Sequence, residues 1–485
     1  MLTKSDYTSG LQCPRLLWIL KNDKEKVPEI TEMDKKKFEE GYLVEELAKS
    51  FFPDMIDLSK FDFNEQVGKT KELLEKRVPL FQATFSQEDL YTRGDILVPT
   101  GDNKWDIIEI KSSTKPKDIH FEDLAFQKYV YEKSGLKIRK CFVMHVNKDF
   151  VKNGEIDPKE FLIKEDVSDK VEAILEVEER VMRMLEIIKG ECPEFSVDDL
   201  VTIEYENFVK DEFMASLPED NIFQFIRMFT KKKVGLYKEG IIKMNEVPDD
   251  VRLNDKQKVQ RLLAENGGKQ IDKKQIKHFL DNLQYPLYYF DFETISSAVP
   301  RFDNSKPYQQ IPFQFSLHIQ EKPDGELKHI SFLAEGKNDP RPTLLKSLKE
   351  NLGDKGDILV YNQKFEKMVL KDGADFFPEF KELIEENFLP RIKDLMEVFD
   401  KFYYYDPKQK GSVSIKYVLP ILSDLRYDGL EIKKGDVASF EFERVTYEDV
   451  PEEDRKKVRD ALEKYCELDT LAEVEIVKAL KDIAD

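Results

Sequence analysis

Residues 285–294 read YPLYYFDFET. The nearly unbroken apolar run predicts a strand that is buried on both faces, as in a sheet covered by helices on either side. Asp291 and Glu293 end this run, and alternation along the strand places both carboxylates on one face. The segment therefore predicts an α/β domain that directs two carboxylates toward one point.

Two later segments carry further polar residues in a regular setting. Residues 357–370, DILVYNQKFEKMVL, predict a short buried strand and then a helix, and residues 460–472, DALEKYCELDTLA, predict another helix. Tyr465 and Asp469 are four residues apart and so share one face of that helix. Strand carboxylates and a helix aspartate can surround two Mg²⁺ ions about 4 Å apart, which activate water and stabilise the leaving oxygen in phosphodiester cleavage.

These segments resemble the DEDD exonucleases of the proofreading and ribonuclease-H-like superfamily. Three motifs carry the resemblance: D-x-E at residues 291–293, N-x-x-F-[DE] at 362–366 and Y-x-x-x-D at 465–469. The resemblance implies a ribonuclease-H-like domain over residues 284–485, with metal held by Asp291, Glu293, Asp469 and Glu366, and water oriented by Tyr465.

One departure leaves the fourth ligand open. Proofreading enzymes usually place aspartate where this chain has Glu366, so either Glu366 or Asp394 is the remaining carboxylate. The alternative for the whole region is a folded but inactive domain of this type.

The first third of the chain predicts consecutive antiparallel strands. Residues 80–114 alternate apolar and polar side chains, and TGDNK at 100–104 forms a turn. Asp95 is expected at the start of one strand, while Glu109 and Lys111 lie two apart on the next and face one side. Converging carboxylates suit Mg²⁺ or Mn²⁺, and a lysine can position water for attack on phosphorus. The alternative is a solvated pair on an exposed face.

This region resembles the restriction-endonuclease-like, PD-(D/E)xK nucleases of the RecB and CRISPR-adaptation type. The resemblance rests on residues 9–18 (SGLQCPRLLW), 94–96 (GDI), 109–111 (EIK) and 127–131 (QKYVY). It implies a nuclease domain over residues 1–165 in which Asp95 and Glu109 hold metal and Lys111 positions water. Gln127 and Tyr131 would contact the substrate from one helix face.

Two features of those nucleases are altered here. A histidine often follows the helix glycine by four residues, but this chain has Glu45, which is either a metal ligand or a surface residue. Many relatives also hold an iron–sulfur cluster, which needs four thiolates. Cys13 and Cys192 match, but Cys141 lies in a predicted strand and a compact late group is missing. We therefore expect no cluster and a buried helical Cys13.

The middle of the chain, residues 166–283, predicts a helical connector. Residues 166–190 carry a helical apolar stripe that ends at Gly190. Residues 231–241, KKKVGLYKEGI, predict either a plain helical linker or a helix-hairpin-helix that offers backbone N–H groups to phosphate.

Composition narrows the class of protein. The 485 residues carry 77 basic and 97 acidic side chains, a net charge of −20, which disfavours a protein that coats duplex DNA. We expect a cytoplasmic protein without membrane contact, because apolar runs of membrane-spanning length and a secretory signal are missing. The four cysteines and five histidines are scattered, which argues against a disulfide framework and a His/Cys zinc site.

Together these patterns predict an α/β chain with two fused nucleases, as in an uncharacterised bacterial family that residues 391–395 and 411–416 also resemble. Both sites would use Mg²⁺ or Mn²⁺ on DNA ends or single-stranded DNA, in DNA repair, defence or CRISPR-type processing. Two alternatives remain: a nucleic-acid-binding scaffold with one or both sites degenerate, and an RNA 3′ exonuclease that uses only the C-terminal domain.

Overall fold

The computed structural model describes residues 1–203 and 208–485. These residues form two compact units, the first Met1–Ser216 with Ser297–Tyr308 and the second Leu217–Ser296 with Gln309–Asp485. Each unit has its own mixed sheet and helices, which confirms the α/β class. Residues 166–283, which the sequence predicted to be a connector, are divided between the two units. Residues 166–216 belong to the first unit and residues 217–283 to the second.

The first unit is built on a six-stranded sheet of order β1-β2-β3-β4-β5-β6. Its strands are β1 (Ile56–Asp57), β2 (Leu80–Gln87), β3 (Leu90–Pro99), β4 (Trp105–Lys111), β5 (Ile138–Val146) and β6 (Leu162–Asp166). β2, β3 and β4 are antiparallel, as predicted, and β5 runs parallel to β4. Asp95 lies in the middle of β3 rather than at its start, because a tight turn at Glu88, whose φ is +54°, starts β3 at Leu90.

Ten helices of the first unit lie within the described residues: α1 (Lys4–Gln12), α2 (Pro14–Asn22), α3 (Glu32–Lys49), α4 (Phe63–Leu74), α5 (Asp118–Lys133), α6 (Pro158–Phe161), α7 (Ser168–Glu172), α8 (Val177–Lys189), α9 (Asp199–Thr202) and α10 (Phe208–Ala215). Helix α5 packs on one face of the sheet and α3 on the other. The prediction of a single helix over residues 166–190 is wrong, since α7 and α8 are separate helices. The chain turns outward at Leu175, which is 87% exposed, while Val171 and Val177 both pack in the core.

The second unit is built on a five-stranded sheet of order β10-β9-β8-β11-β12, with a separate pair formed by β7 and β13. The strands are β7 (Gln270–Ile271), β8 (Leu287–Ile295), β9 (Ile311–Gln320), β10 (Leu327–Leu333), β11 (Asp357–Val360), β12 (Ile392–Asp394) and β13 (Tyr404–Tyr405). β8, β9 and β10 are antiparallel, whereas β11 and β12 run parallel to β8. The prediction that β8 is buried on both faces is confirmed.

Ten helices of the second unit are described: α11 (Thr230–Lys238), α12 (Asp255–Asn266), α13 (Lys273–Asp281), α14 (Arg341–Asn351), α15 (Gln363–Phe376), α16 (Leu389–Arg391), α17 (Glu397–Asp400), α18 (Ile415–Leu422), α19 (Gly435–Tyr447) and α20 (Glu452–Ala484). Short 3₁₀ turns occupy Lys24–Lys26, Leu58–Lys60, Ile222–Gln224, Met244–Glu246, Pro378–Phe380 and Pro407–Gln409, and Leu383–Phe388 is π-helical.

Helices cover both faces of the second sheet. α14 and α15 pack against one face through leucine and valine side chains, among them Leu344 and Val369. The long helix α20 crosses β8 and β9 on the other face, where the side-chain amide of Gln314 donates to the carbonyl of Leu462 over 3.0 Å. Across the part of the chain that the structure describes, the helices are all too short or too polar to span a bilayer.

Candidate functional site

The second unit brings three carboxylates to one place. Asp291 and Glu293 project from β8, and Asp469 projects from α20 where that helix crosses the sheet. One ligand oxygen from each lies within 4.8 Å of the other two. The two-residue spacing on the strand makes this possible, because it puts both strand carboxylates on the face that α20 covers.

Burial and like charge govern the ionisation of this cluster. Burial and the charges of Asp469 and Glu293 raise the pKa of Asp291 well above its ordinary value, and burial and Asp469 do the same for Glu293. The pKa of Asp469 is raised only to about 6, because a hydrogen bond from Tyr427 and the charge of Lys416 oppose its burial. Excess negative charge of this kind favours binding of a divalent cation with oxygen ligands.

Two tyrosines flank Asp469. Tyr465 lies one turn earlier on α20, is 3% exposed, and lowers the pKa of Asp469 by a hydrogen bond, while burial and Asp469 raise the pKa of its own hydroxyl. The hydroxyl of Tyr427 donates to Oδ1 of Asp469 over 2.6 Å. Sequence reasoning found Tyr465 from its spacing but missed Tyr427, for which the sequence offers no signal. Lys416, which lies 5.8 Å from the Tyr465 ring, was noted only as part of residues 411–416.

The two alternatives for the fourth carboxylate have different surroundings. Glu366, in the first turn of α15, is 2% exposed, and its charge contributes to the raised pKa of Asp291. Burial raises the pKa of Glu366 itself to about 8. Asp394 instead accepts backbone hydrogen bonds from Asn362 and Met396 at Oδ1, each over 3.1 Å. The charge of Glu366 therefore acts on Asp291, whereas Asp394 stabilises the turn that starts α15.

A further buried carboxylate, Glu473, was missed. It follows Asp469 by one helical turn and is 1% exposed, and burial with the charges of Asp291 and Glu366 raises its pKa well above normal. Among the described residues, Oε2 of Glu473 and Oε2 of Glu366 have no hydrogen-bond partner. The repeated four-residue spacing after Tyr465 and Asp469 is the signal that would have found Glu473.

In the first unit, the predicted carboxylates lie side by side on adjacent strands. The register of β3 and β4 pairs Ile96 with Ile108, so Asp95 and Glu109 face each other, and Oδ2 of Asp95 accepts the N–H of Ile110 over 2.7 Å. Oε1 of Glu109 lies 2.8 Å from Nζ of Lys111, which confirms that these two side chains share a face. Burial and Glu109 raise the pKa of Asp95 to about 8.

Gln127 and Tyr131 share one face of α5, as predicted, and both are fully buried. The amide of Gln127 donates to Oε2 of Glu109 over 2.7 Å and to Oδ1 of Asp123 over 2.9 Å. The hydroxyl of Tyr131 donates to the carbonyl of Ala83 over 3.2 Å. In this arrangement Gln127 positions Glu109, and Tyr131 attaches α5 to the sheet. Asp123, four residues before Gln127, was missed although its spacing was informative.

A second lysine enters this site from the N-terminal helix. Nζ of Lys4 lies 2.7 Å from Oε1 of Glu109 and 3.9 Å from Oδ2 of Asp123. Burial opposes ionisation of Glu109, yet the charges of Lys111 and Lys4 lower its pKa below the ordinary range. Glu45, on α3, is half-buried, and burial and the charge of Glu109 raise its pKa. Glu45 thus lies near Asp95 and Glu109. Lys4 is hydrogen-bonded to Oε1 of Glu109, an oxygen that a bound cation would need as a ligand.

The remaining candidates are placed as follows. Cys13 is buried as predicted but caps α2, where Sγ accepts the N–H of Leu16, and Cys192 is exposed.

In residues 231–241, Gly240 follows the end of α11 with a φ of +84°. The ammonium of Lys233 there donates to the carbonyl of Phe223 over 2.7 Å, and burial lowers its pKa to about 8. Lys232 likewise donates to the carbonyl of Arg252, so two of the three adjacent lysines are hydrogen-bonded to the protein's own backbone.

Comparison with known proteins gives a domain and distant relatives. Residues 288–414 match the model of a domain of unknown function, DUF2779, a stretch that includes β8 to β12. The uncharacterized protein MG366 homolog of Mycoplasma pneumoniae is 30% identical over 213 residues, covering 40% of this chain and 32% of that protein. The uncharacterized protein MG366 of Mycoplasma genitalium is 29% identical over 227 residues, covering 43% and 34%.

A third relative has a similar identity and a similar coverage. The uncharacterized protein UU173 of Ureaplasma parvum is 27% identical over 221 residues, covering 41% of this chain and 31% of that protein. The aligned part spans about a third of the length of these curated relatives. The chain therefore carries a DUF2779 domain and has distant mycoplasma homologues.

Proposed function

We propose that this chain is a metal-dependent nuclease that cleaves phosphodiester bonds in DNA. The convergence of Asp291, Glu293 and Asp469 within 4.8 Å carries the proposal. Burial and mutual repulsion raise the pKa values of Asp291 and Glu293, and the charge of Lys416 only partly offsets this at Glu293. All the ligand atoms are oxygens, which fits Mg²⁺ or Mn²⁺. When bound there, such an ion supplies a Lewis acid and a bound water of lowered pKa.

The residues of the second unit would then have separate roles in binding metal and orienting water. Asp291, Glu293, Asp469 and Glu366 would hold metal, and Tyr465 would orient the attacking water through its hydroxyl beside Asp469. Glu366 is favoured over Asp394 because Asp394 is engaged by two backbone N–H groups. The sheet order β10-β9-β8-β11-β12, with three antiparallel strands continued by two parallel ones, supports a ribonuclease-H-like fold.

The first unit supports a second nuclease site. Its three antiparallel strands, helix α5 and parallel strand β5 are the arrangement expected of a restriction-endonuclease-like core. Asp95 and Glu109 would hold metal there, and Lys111 would position the water. Gln127 would act by positioning Glu109 rather than by touching DNA, since it is fully buried.

One observation favours a second candidate, an RNA 3′ exonuclease, only in its requirement that the second unit alone cleaves. Lys4 and Lys111 both engage Oε1 of Glu109, so a metal in the first site must compete with two ammonium groups. The groups of three ligands found among the described residues do not include Asp95 or Glu109.

Cleavage assays on end-labelled single-stranded DNA, duplex DNA and matched RNA, with EDTA, Mg²⁺ or Mn²⁺, test both candidates. We expect shortening of DNA that requires metal, with one activity reduced at least about 100-fold in Asp291→Asn and the other in Lys111→Ala. The exposed residues Asp324 and Lys104 supply the controls Asp324→Asn and Lys104→Ala. RNA cleavage lost only in Asp291→Asn would favour the second candidate. Binding without cleavage of any substrate would refute both and leave a scaffold.

A further inference from the structure

The sheet of the second unit also carries a histidine pair that the proposed nuclease chemistry does not use. His318 on β9 and His329 on β10 are directly opposite in the strand register. Their rings are stacked with centroids 4.6 Å apart, and Oε1 of Glu467 on α20 lies 3.6 Å from Nδ1 of His329. Within the described part of the chain, one ligand atom from each of the three lies within 4.8 Å of the other two.

Two hydroxyl groups fix the orientation of the rings. Nδ1 of His318 is 2.8 Å from Oγ1 of Thr470, and Nε2 of His329 is 3.0 Å from Oγ of Ser316. Those two hydroxyls are 2.7 Å apart and so link the two contacts. Each histidine thus has one nitrogen beside a hydroxyl, and the second nitrogen of His329, Nδ1, faces Glu467. A hydrogen bond to one ring nitrogen is how histidines are oriented at metal sites.

The cluster is accessible to an ion from solvent. His318 is buried, but the side chain of His329 is 28% exposed and that of Glu467 is 46% exposed. The exposed side chain of Glu467 has room to adjust to the bond length of about 2 Å that zinc requires. Two imidazole nitrogens and one carboxylate oxygen are a typical zinc set, whereas the all-oxygen cluster at Asp291 suits Mg²⁺ or Mn²⁺.

We propose that His318, His329 and Glu467 bind Zn²⁺, with a fourth position open to water. The ion would join β9, β10 and α20 at the edge of the sheet. Because α20 also carries Asp469, zinc would fix the helix that completes the carboxylate cluster. Zinc binding itself does not depend on nuclease activity. The spacing of His318, His329 and Glu467 in the sequence does not indicate this site, because the pairing of two strands and the packing of a distant helix bring the ligands together.

The test is titration of the metal-free full-length chain with Zn²⁺ by calorimetry, with excess Mg²⁺ present to compete for the all-oxygen cluster. Co²⁺ titration adds a visible absorption band that reports tetrahedral coordination. We expect one equivalent of Zn²⁺ to bind the wild type, and His329→Ala and Glu467→Gln each to weaken binding more than about 10-fold. His278→Ala, which removes an exposed histidine of the same unit, should have no effect.

Melting of each variant in EDTA checks that it folds. If His329→Ala is unfolded, Glu467→Gln decides the question, because its side chain lies at the surface. Wild-type zinc affinity in a folded His329→Ala, or in Glu467→Gln when His329→Ala does not fold, would overturn the assignment, as would failure of the wild type to bind zinc. The readout is metal binding, so its outcome is separate from that of the cleavage assay.

Discussion

The hydroxyl of Tyr427 donates a hydrogen bond to Oδ1 of Asp469 over 2.6 Å. Tyr427 lies in the segment between α18 and α19, far from Asp469 in the sequence. The hydrogen bond favours the ionised carboxylate and opposes the burial that raises the pKa of Asp469 to about 6. A loop residue therefore helps set the charge of the helix residue that completes the carboxylate cluster.

Tyr427→Phe should make metal binding require a higher pH. Loss of the hydrogen bond raises the pKa of Asp469 further, so the carboxylate is ionised only at higher pH, and metal ligands must be deprotonated. We expect calorimetric Mn²⁺ affinity to fall several-fold near pH 6 and to approach the wild-type value at about pH 8. Tyr417→Phe, at an exposed tyrosine of α18, is the control. An unchanged pH profile in Tyr427→Phe would contradict the argument.

Asp291→Asn should stabilise the metal-free protein while abolishing metal binding at the carboxylate cluster of the second unit. A carboxyl whose folded pKa is raised destabilises the fold above that pKa, and the penalty disappears as pH falls below the unfolded value of about 4. In EDTA at neutral pH the variant should melt higher, by about 2–4 °C for each kcal/mol of repulsion removed. Mg²⁺ should raise the melting temperature of the wild type more than that of the variant, which keeps only the first metal site. A lower melting temperature in EDTA would count against repulsion at this site.

Gly94→Ala should disrupt the first site through packing. A Cβ at Gly94 would lie within 3.0 Å of the Tyr131 hydroxyl and of Oε1 of Gln127, both on a helix buried against the sheet. Overpacking of this kind costs about 1–3 kcal/mol in the free energy of unfolding. Gly101→Ala, in the neighbouring turn with open space around it, should cost much less. Denaturant unfolding of the two variants measures the difference, and equal stability would show that α5 shifts freely.

Lys4→Ala should strengthen metal binding at the first site. The Lys4 ammonium lies 2.7 Å from Oε1 of Glu109 and there competes with a cation. In a background of Asp291→Asn, which disables the other site, we expect Mn²⁺ affinity to rise by about 10-fold, the equivalent of about 1.4 kcal/mol. Lys24→Ala, at an exposed lysine near the same end of the chain, is the control. Weaker Mn²⁺ binding in Lys4→Ala would instead show that Lys4 supports the metal site.

Local spacing determined much that the structure bears out. The apolar run before Asp291 predicted a strand buried on both faces, and the two-residue spacing of Glu109 and Lys111 predicted a shared face. The four-residue spacing of Tyr465 and Asp469 predicted that they share one face of α20, and a hydrogen bond between their side chains confirms it. These features follow from the repeat of a single strand or helix, which the sequence contains directly.

Tertiary structure alone decided the contacts between distant segments. Lys4 reaches Glu109, and Tyr427 reaches Asp469, because separate segments pack together, and neither contact leaves a mark in local spacing. The same packing brought the charge of Glu366 to act on Asp291 and engaged Asp394 with backbone N–H groups. Strand pairing likewise brought His318 opposite His329. Side-chain periodicity is a property of one element, whereas the chemistry of a site depends on which elements meet.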